Sequence, residues 1–327
     1  MFRSYVFSGG RAERIDHPAA AISAIKNRKN TVWIDLEEPS ESEIDFLIDE
    51  FNFHSLSIED AILPHDHPKV EFFDEYTFIT FYSIASGKAI LPQEINIFIG
   101  FNYLITFHEE KLTSVNRMLN KAAKIAAGDS EYNNGNFMGK GPDMMMHGLL
   151  SMLIDEYYPV IEKIEDNIAM LEDGLLEEKE TSIMEGILDQ KRSILVLRKL
   201  IYLEKQVVAK IVRDECAGIN ENVKTYFRDI YDHLLNMQET LEILREIIPS
   251  LIETYHSMTA KKLNQLIHRL TILATIAIPL TIITSYYGMN LELPEFKMGF
   301  MGNVIMWLLL FGSAVVTYIV LKIKKWL

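Results

Sequence analysis

Two long uncharged runs near the C-terminal end constrain this chain more than any other feature. No charged residue falls between Leu270 and Leu291, or between Met298 and Leu321. At about 22 and about 24 residues, each is long enough to cross a ~30 Å hydrocarbon layer as a helix. Such a span satisfies its backbone hydrogen bonds internally, so the chain reads as a protein that crosses a membrane twice. Lys261, Lys262, His268 and Arg269 precede the first run, and Lys322, Lys324 and Lys325 follow the second. The connection between them holds only Lys297 against Glu292 and Glu295. That bias places both termini in the cytoplasm and the connection outside. Met1-Phe2-Arg3-Ser4 shows no apolar signal region, so the N-terminal part is expected to stay where it is made.

A formal net charge of -14 is unusual for a nucleic-acid binder and suits a protein that handles cations, so no nucleic-acid partner is expected. The single Cys216 rules out an intramolecular disulfide framework and fits a reducing compartment. Roughly 260 residues precede the membrane, enough for one sizeable α/β domain and a helical region.

The expected fold class is an α+β cytoplasmic domain, then long helices, then two transmembrane helices. Residues 1–127 carry mixed patterns. Thr31-Val32-Trp33-Ile34-Asp35-Leu36 reads as a strand, and Ser40 with Glu43 forms a capping box that opens a helix through Phe51. Val70–Ile84 and Ile95–Phe107 are β-rich runs broken by turn signals. Residues 128–142 are polar and Gly-rich and read as a loop. Residues 143–219 have helical periodicity with an acidic excess, including Glu162, Glu165, Asp166, Glu172 and Asp173, with Gly174 and Gly218 as expected breaks. A stalk helix covers 220–269, the first transmembrane helix 270–290, an outer loop 291–303, the second transmembrane helix 304–323 and a basic cytoplasmic tail 324–327.

Along the stalk, Phe227, Ile230, Leu234, Met237, Leu241, Leu244, Ile248, Leu251, Tyr255 and Met258 follow steps of three and four, the pattern of helices packing lengthwise. Continued to Asn290, that helix would reach roughly 105 Å at 1.5 Å per residue. The seam either packs on helices of its own chain or joins copies around an axis. The second is the working expectation, because two spans alone cannot enclose a polar path. Pro249 removes one ladder hydrogen bond within this helix.

The first span carries Thr271, Thr275, Thr281, Thr284 and Ser285, while the second is more uniformly apolar. Spacing of three and four puts Ile267, Leu270, Ala274, Ile278, Thr281 and Ser285 on one face, apolar at the cytoplasmic end and polar at the outer end. That arrangement suits a hydrophobic constriction beneath a hydrated vestibule. The hydroxyls could equally bond their own helix backbone, and polarity alone does not choose. Tyr287-Gly288-Met289-Asn290 closes the span. Gly288 frees the backbone to leave the helix, Met289 adds a flexible apolar side chain, and Asn290 brings an amide oxygen to the outer solution.

Here the chain resembles the CorA family of divalent-cation channels, whose signature is Gly-Met-Asn at the outer end of the first of two C-terminal spans. The resemblance extends to Pro279-Leu280-Thr281, Pro294-Glu295, Arg228-Asp229-Ile230-Tyr231-Asp232-His233, Pro68-Lys69-Val70-Glu71-Phe72-Phe73 and the closing Lys324-Lys325-Trp326-Leu327. It implies a funnel-shaped homopentamer of the plasma (inner) membrane that takes up Mg2+, Co2+ or Ni2+, with no enzymatic activity and no prosthetic group. Gly288, Met289 and Asn290 would form the outer selectivity ring. Magnesium surrenders its waters reluctantly, so neutral amide oxygens can hold the hydrated ion through its water shell. Glu292 and Glu295 would concentrate cations at the mouth. A divalent ion gains about 4.6 kcal/mol per 100 mV of inside-negative potential, taking ~2.3 per charge. The resemblance also implies gating by cytoplasmic Mg2+ bound between neighbouring copies. Asp229 matches one position of such a regulatory site, whereas Ala85-Ser86-Gly87-Lys88, where the partner acid is expected, offers none. Glu253 lies where the family places a pore-facing acid.

Other signals carry less. Gly135-Asn136-Phe137-Met138-Gly139-Lys140-Gly141 lacks the spacing, the Ser or Thr and the preceding strand of a phosphate-binding loop. His65-Asp66-His67 reads as a solvated turn between prolines. The acids from Glu172 to Glu180 form either a solvated face or a cation-holding surface. Two alternative functions stay open: a zinc transporter of the same family, and a membrane-anchored sensor or scaffold without transport.

Overall fold

The computed structural model describes the chain apart from residues 10, 65–66, 86–89, 130–137, 177–182, 215, 291–298, 325 and 327. It divides into two compact units, Met1–Leu251 and Ile252–Leu327. In the first, the strands are β1 (Phe2–Ser8), β2 (Arg11–Ile15), β3 (Thr31–Glu37), β4 (Lys69–Phe72), β5 (Tyr76–Ala85), β6 (Leu91–Gly100) and β7 (Tyr103–His108). Among the described residues these form one sheet in the order β2-β1-β3-β7-β6-β5-β4. All neighbours are antiparallel except β3 and β7, where Val32 stands opposite Tyr103 and Glu37 opposite His108. The β1–β2 pair had no counterpart in the sequence reading. Its short strands alternate weakly, and β2 exposes three of its five residues.

Both faces of the sheet are covered, which is why β3 and β5 read as nearly continuous apolar or small runs. Helices α1 (Pro18–Lys26), α2 (Glu41–Phe51) and α3 (Ser55–Ile62) bring Ala21, Leu47, Ile58 and Ala61 against Val32, Ile34, Leu36, Phe78 and Phe98. The Ser40–Glu43 capping box is present, with Ser40 N–H donating to Glu43 Oε2 at 2.8 Å. On the other face lie α4 (Thr113–Ala126) and α5 (Pro142–Asp155), and α5 touches β3, β5, β6 and β7. Next come α6 (Tyr157–Leu176) and α7 (Ile183–Arg213), the latter against β4 and β5. Gly174 lies inside α6 and does not break it. Gly218 does mark a break: its φ is +83°, and an added Cβ would stand 2.7 Å from Gly100 O.

Helix α8 runs Lys224–Tyr287, preceded by a 3-10 turn at Glu221–Val223, so it starts a few residues later than the stalk expected from 220. It passes through Pro249 without interruption. The first part of its seam finds its cover without a second copy. Phe227, Ile230, Leu234, Met237, Leu241, Leu244, Ile248 and Leu251 are all buried by this same chain. Rings and charges show what covers them. His147 on α5 packs edge-on to Phe227, Tyr158 on α6 bonds His233, and Arg198 on α7 pairs with Glu242 at 2.8 Å. A three-and-four seam records that something packs lengthwise, and helices of the same chain satisfy it as well as another copy does.

Candidate functional site

The second unit contains the remainder of α8 and the helix α9 (Phe300–Ile323), which starts four residues before the expected 304. Burial ends abruptly here. The most apolar windows of α8 and α9 have mean hydropathy 1.9 and 2.4, yet 0% and 6% of them are buried inside the chain. Apolar surface on that scale is not stable in water, and it matches two helices in lipid. Each helix has one less exposed stripe. On α8 it comprises Ile272, Ile276, Pro279, Ile283 and Tyr287; on α9, Gly302, Met306, Leu310, Ser313, Thr317 and Leu321. The stripe on α9 includes Gly302, Ser313 and Thr317, small residues of the kind that permit close helix approach. His268 and Trp326 join the other ends, Nε2 lying 2.8 Å from Trp326 O.

The sequence-derived face falls on the opposite side of α8. Ile267, Leu270, Ala274, Ile278, Thr281 and Ser285 are all exposed in a single copy. The threonines answer the question that polarity left open. Thr271 donates to Ile267 O at 2.8 Å, Thr275 to Thr271 O at 2.7 Å, Thr281 to Ala277 O at 2.9 Å and Thr284 to Thr281 O at 3.1 Å. Each hydroxyl spends its hydrogen on the helix and keeps acceptor lone pairs. Waters bound to a cation point their hydrogens outward, so acceptors are what a hydrated ion needs from a wall.

Past Tyr287 the chain tightens. Gly288 N–H donates to Thr284 O at 2.9 Å and Met289 N–H to Tyr286 O at 3.3 Å. Gly288 therefore prolongs the last turn and does not take a left-handed conformation. Its bareness matters for space: a Cβ there would sit 3.2 Å from Thr284 O. Met289 and Asn290 follow, both exposed. Glu292 and Glu295 lie outside the described residues.

In the first unit Asp229 projects from α8, with Oδ2 3.5 Å from His233 Nε2, and His233 Nδ1 lies 2.8 Å from Tyr158 Oη. Burial, then the charges of Asp155 and Asp229, raise the Tyr158 phenol above its ordinary range. Negative charge is thus gathered at one spot. Among the described residues no group of three or more His, Cys, Asp or Glu side chains could hold a metal. Asp229 alone in one copy is therefore not a complete site. Glu253 is exposed on α8 just beyond the boundary of the first unit. Ser86, Gly87 and Lys88, opposite which the regulatory partner was sought, lie outside the described residues. Among the buried acids that escaped the sequence reading is Glu204 on α7, fully buried, whose signal was its place between Leu200-Ile201 and Val207-Val208 on the apolar stripe.

Comparison with known proteins agrees with this arrangement. Residues 28–325 match the family model described as CorA-like Mg2+ transporter protein. The chain is 30% identical over 312 residues to the cobalt/magnesium transport protein CorA of Thermotoga maritima, covering 94% of this chain and 86% of that one. It is 26% identical over 268 residues to the zinc transport protein ZntB of Photorhabdus laumondii, covering 80% and 77%. The complete structure of the CorA magnesium transporter from Methanocaldococcus jannaschii shares the fold, with TM-score 0.84, 19% identity and coverage of 100% and 99%. The chain belongs to the CorA-like Mg2+ transporter family, whose members are membrane transporters and not enzymes.

Proposed function

We propose that this protein is a homo-oligomeric, pentameric channel that takes up Mg2+, and also Co2+ or Ni2+, down its electrochemical gradient. The observation that carries this reading is the division of α8: six residues at channel-lining spacing are all exposed, while the residues of the opposite stripe are half-buried. A lipid-facing anchor has no use for a graded face of this kind. Copies arranged around an axis would cover it and give an apolar throat at Ile267, Leu270, Ala274 and Ile278. Thr281 and Ser285 would line the wider part, and the backbone of Gly288 with Met289 and Asn290 would form the outer ring. Glu292 and Glu295 would draw cations to that mouth from outside, with both termini on the cytoplasmic side of the plasma (inner) membrane. Asp229 and Glu253 would sense internal Mg2+, Asp229 gaining its missing ligands from a neighbouring copy.

A second reading, zinc transport, is supported by the similarity to a zinc transport protein. The intact Gly288-Met289-Asn290 favours magnesium, because an amide ring suits a hydrated hard cation better than a borderline one. Uptake into proteoliposomes under an inside-negative potential, with Mg2+, Co2+ and Zn2+ compared, decides between them. Mg2+ flux that Asn290→Ala abolishes while the oligomer stays assembled is the expected result. Zn2+ flux without Mg2+ flux would replace the ion, and no flux of any ion over a range of internal Mg2+ would leave the sensor reading.

A further inference from the structure

We propose that Glu204 is held as a neutral carboxylic acid that closes an open edge of the sheet, making the docking of α6 and α7 on β5 dependent on one buried proton. The edge is open because β4 is short: its ladder with β5 ends at Lys69 opposite Thr80, and among the described residues no strand pairs with 81–85 on that side. Tyr82 N–H and C=O need other partners there. Its N–H donates to Glu204 Oε1 at 3.2 Å, and its C=O accepts from Tyr157 Oη at 2.9 Å. Tyr157 Oη also lies 2.7 Å from Glu204 Oε1.

Counting hydrogens identifies the protonation state. Tyr157 Oη has one hydrogen but faces two acceptor oxygens, Tyr82 O and Glu204 Oε1. Both contacts are satisfied when Glu204 carries a proton, donates it toward Tyr157 Oη, and Tyr157 donates onward to Tyr82 O. An ionised carboxylate would leave one contact as two facing lone pairs and would bury its charge without a cation. Glu204 Oε2 has no hydrogen-bond partner, a loss that a neutral acid tolerates far better than an anion.

The surroundings contain no compensating charge. Among the described residues no cation stands within ion-pair distance of Glu204, and Lys205, the next residue, lies over the rings of Tyr202 and Tyr231. From the start of α6 the adjoining groups are Tyr157 and Glu156, and Glu156 is held by the hydroxyls of Ser83 and Ser114. From β5, among the described residues, the titratable neighbour is Tyr82. Burial pushes the Glu204 carboxyl well above its ordinary range, and pushes the Tyr157 phenol up as well. An acid whose folded-state proton affinity is raised contributes stability that is complete below the ordinary carboxylate range and lost as pH rises toward the folded value. The joint therefore tightens toward acid and loosens toward alkali.

The test compares the full-length protein with its Glu204→Gln variant in detergent by infrared spectroscopy and by backbone hydrogen exchange in β5. At neutral pH the wild type should show the carbonyl band of a buried protonated carboxyl, and the variant should lack it. A spectrum without that band, or with the band unchanged in the variant, overturns the proposal. As pH is raised, exchange at 81–85, corrected for its intrinsic rate, should accelerate at least tenfold in the wild type and stay flat in the variant. Parallel profiles in the two proteins would also overturn it. If Glu204→Gln does not fold, Tyr157→Phe serves instead: the band should shift when the hydroxyl is removed, and an unmoved band contradicts the relay.

Discussion

The two units of this protein treat the same kind of side chain in opposite ways. Up to Leu251 the apolar seam of α8 is buried within one copy; from Ile252 onward the apolar residues face outward, as Leu270 and Leu273 do, each 66% exposed. In the first unit the sheet, its covering helices and the first part of α8 bury one another's apolar faces. On the function proposed above, the second unit is finished only by its surroundings, with lipid covering most of α9 and other copies covering the graded face of α8. One continuous helix thus passes from a region that folds on itself to a region whose apolar surface stays exposed in one copy.

Four measurements would break or sharpen that contrast. The largest effect belongs to Asn290→Ala, which should reduce Mg2+ uptake by proteoliposomes to background while sedimentation shows an unchanged oligomer; normal flux would remove Asn290 from the ion path. Next is Leu241→Ala, which empties a fully buried seam position and should cost about 2–5 kcal/mol, read as a lower denaturant midpoint for protection of the sheet. A cost under about 1 kcal/mol would mean that Leu241 is not packed against the helices of its own chain.

Thiol labelling gives a third, smaller contrast. Burial pushes the Cys216 thiol up to about 11, so at neutral pH it should stay unlabelled until the first unit opens. Ser285→Cys, on the exposed face of the second unit, should label from the aqueous side and block flux. Rapid labelling of Cys216 in the native protein would contradict the closed packing around it. The smallest effect is expected from Leu273→Ala, a substitution on an outward surface of α8 that should shift stability by no more than about 0.5 kcal/mol. A loss as large as that of Leu241→Ala would place Leu273 in a protein interface.

The parts legible in the sequence were those with a long or rigid signature. The spans follow from uncharged length, β3 and α2 from Thr31–Leu36 and the Ser40–Glu43 box, and the face of Ile267 to Ser285 from spacing alone. The parts that were not legible depended on who the partner is. The seam from Phe227 to Leu251 looks the same whether it meets α5, α6 and α7 or a second copy. Gly174 resembles a helix breaker but costs only about 1 kcal/mol inside a packed helix. Glu204 resembled the solvated acids around it until the sheet edge it closes was in view.

Amphipathic period, charge and a short motif are properties of neighbouring residues, so the sequence by itself determined that this chain spans a membrane twice, carries an acidic α/β part and ends its first span in Gly288-Met289-Asn290. Tertiary structure alone decided which apolar faces cover each other and which stay open. It also decided which of 46 acidic residues must keep a proton. Burial and hydrogen-bond inventory are set by atoms far apart in the chain, such as Tyr82, Tyr157 and Glu204, and no local pattern encodes their meeting.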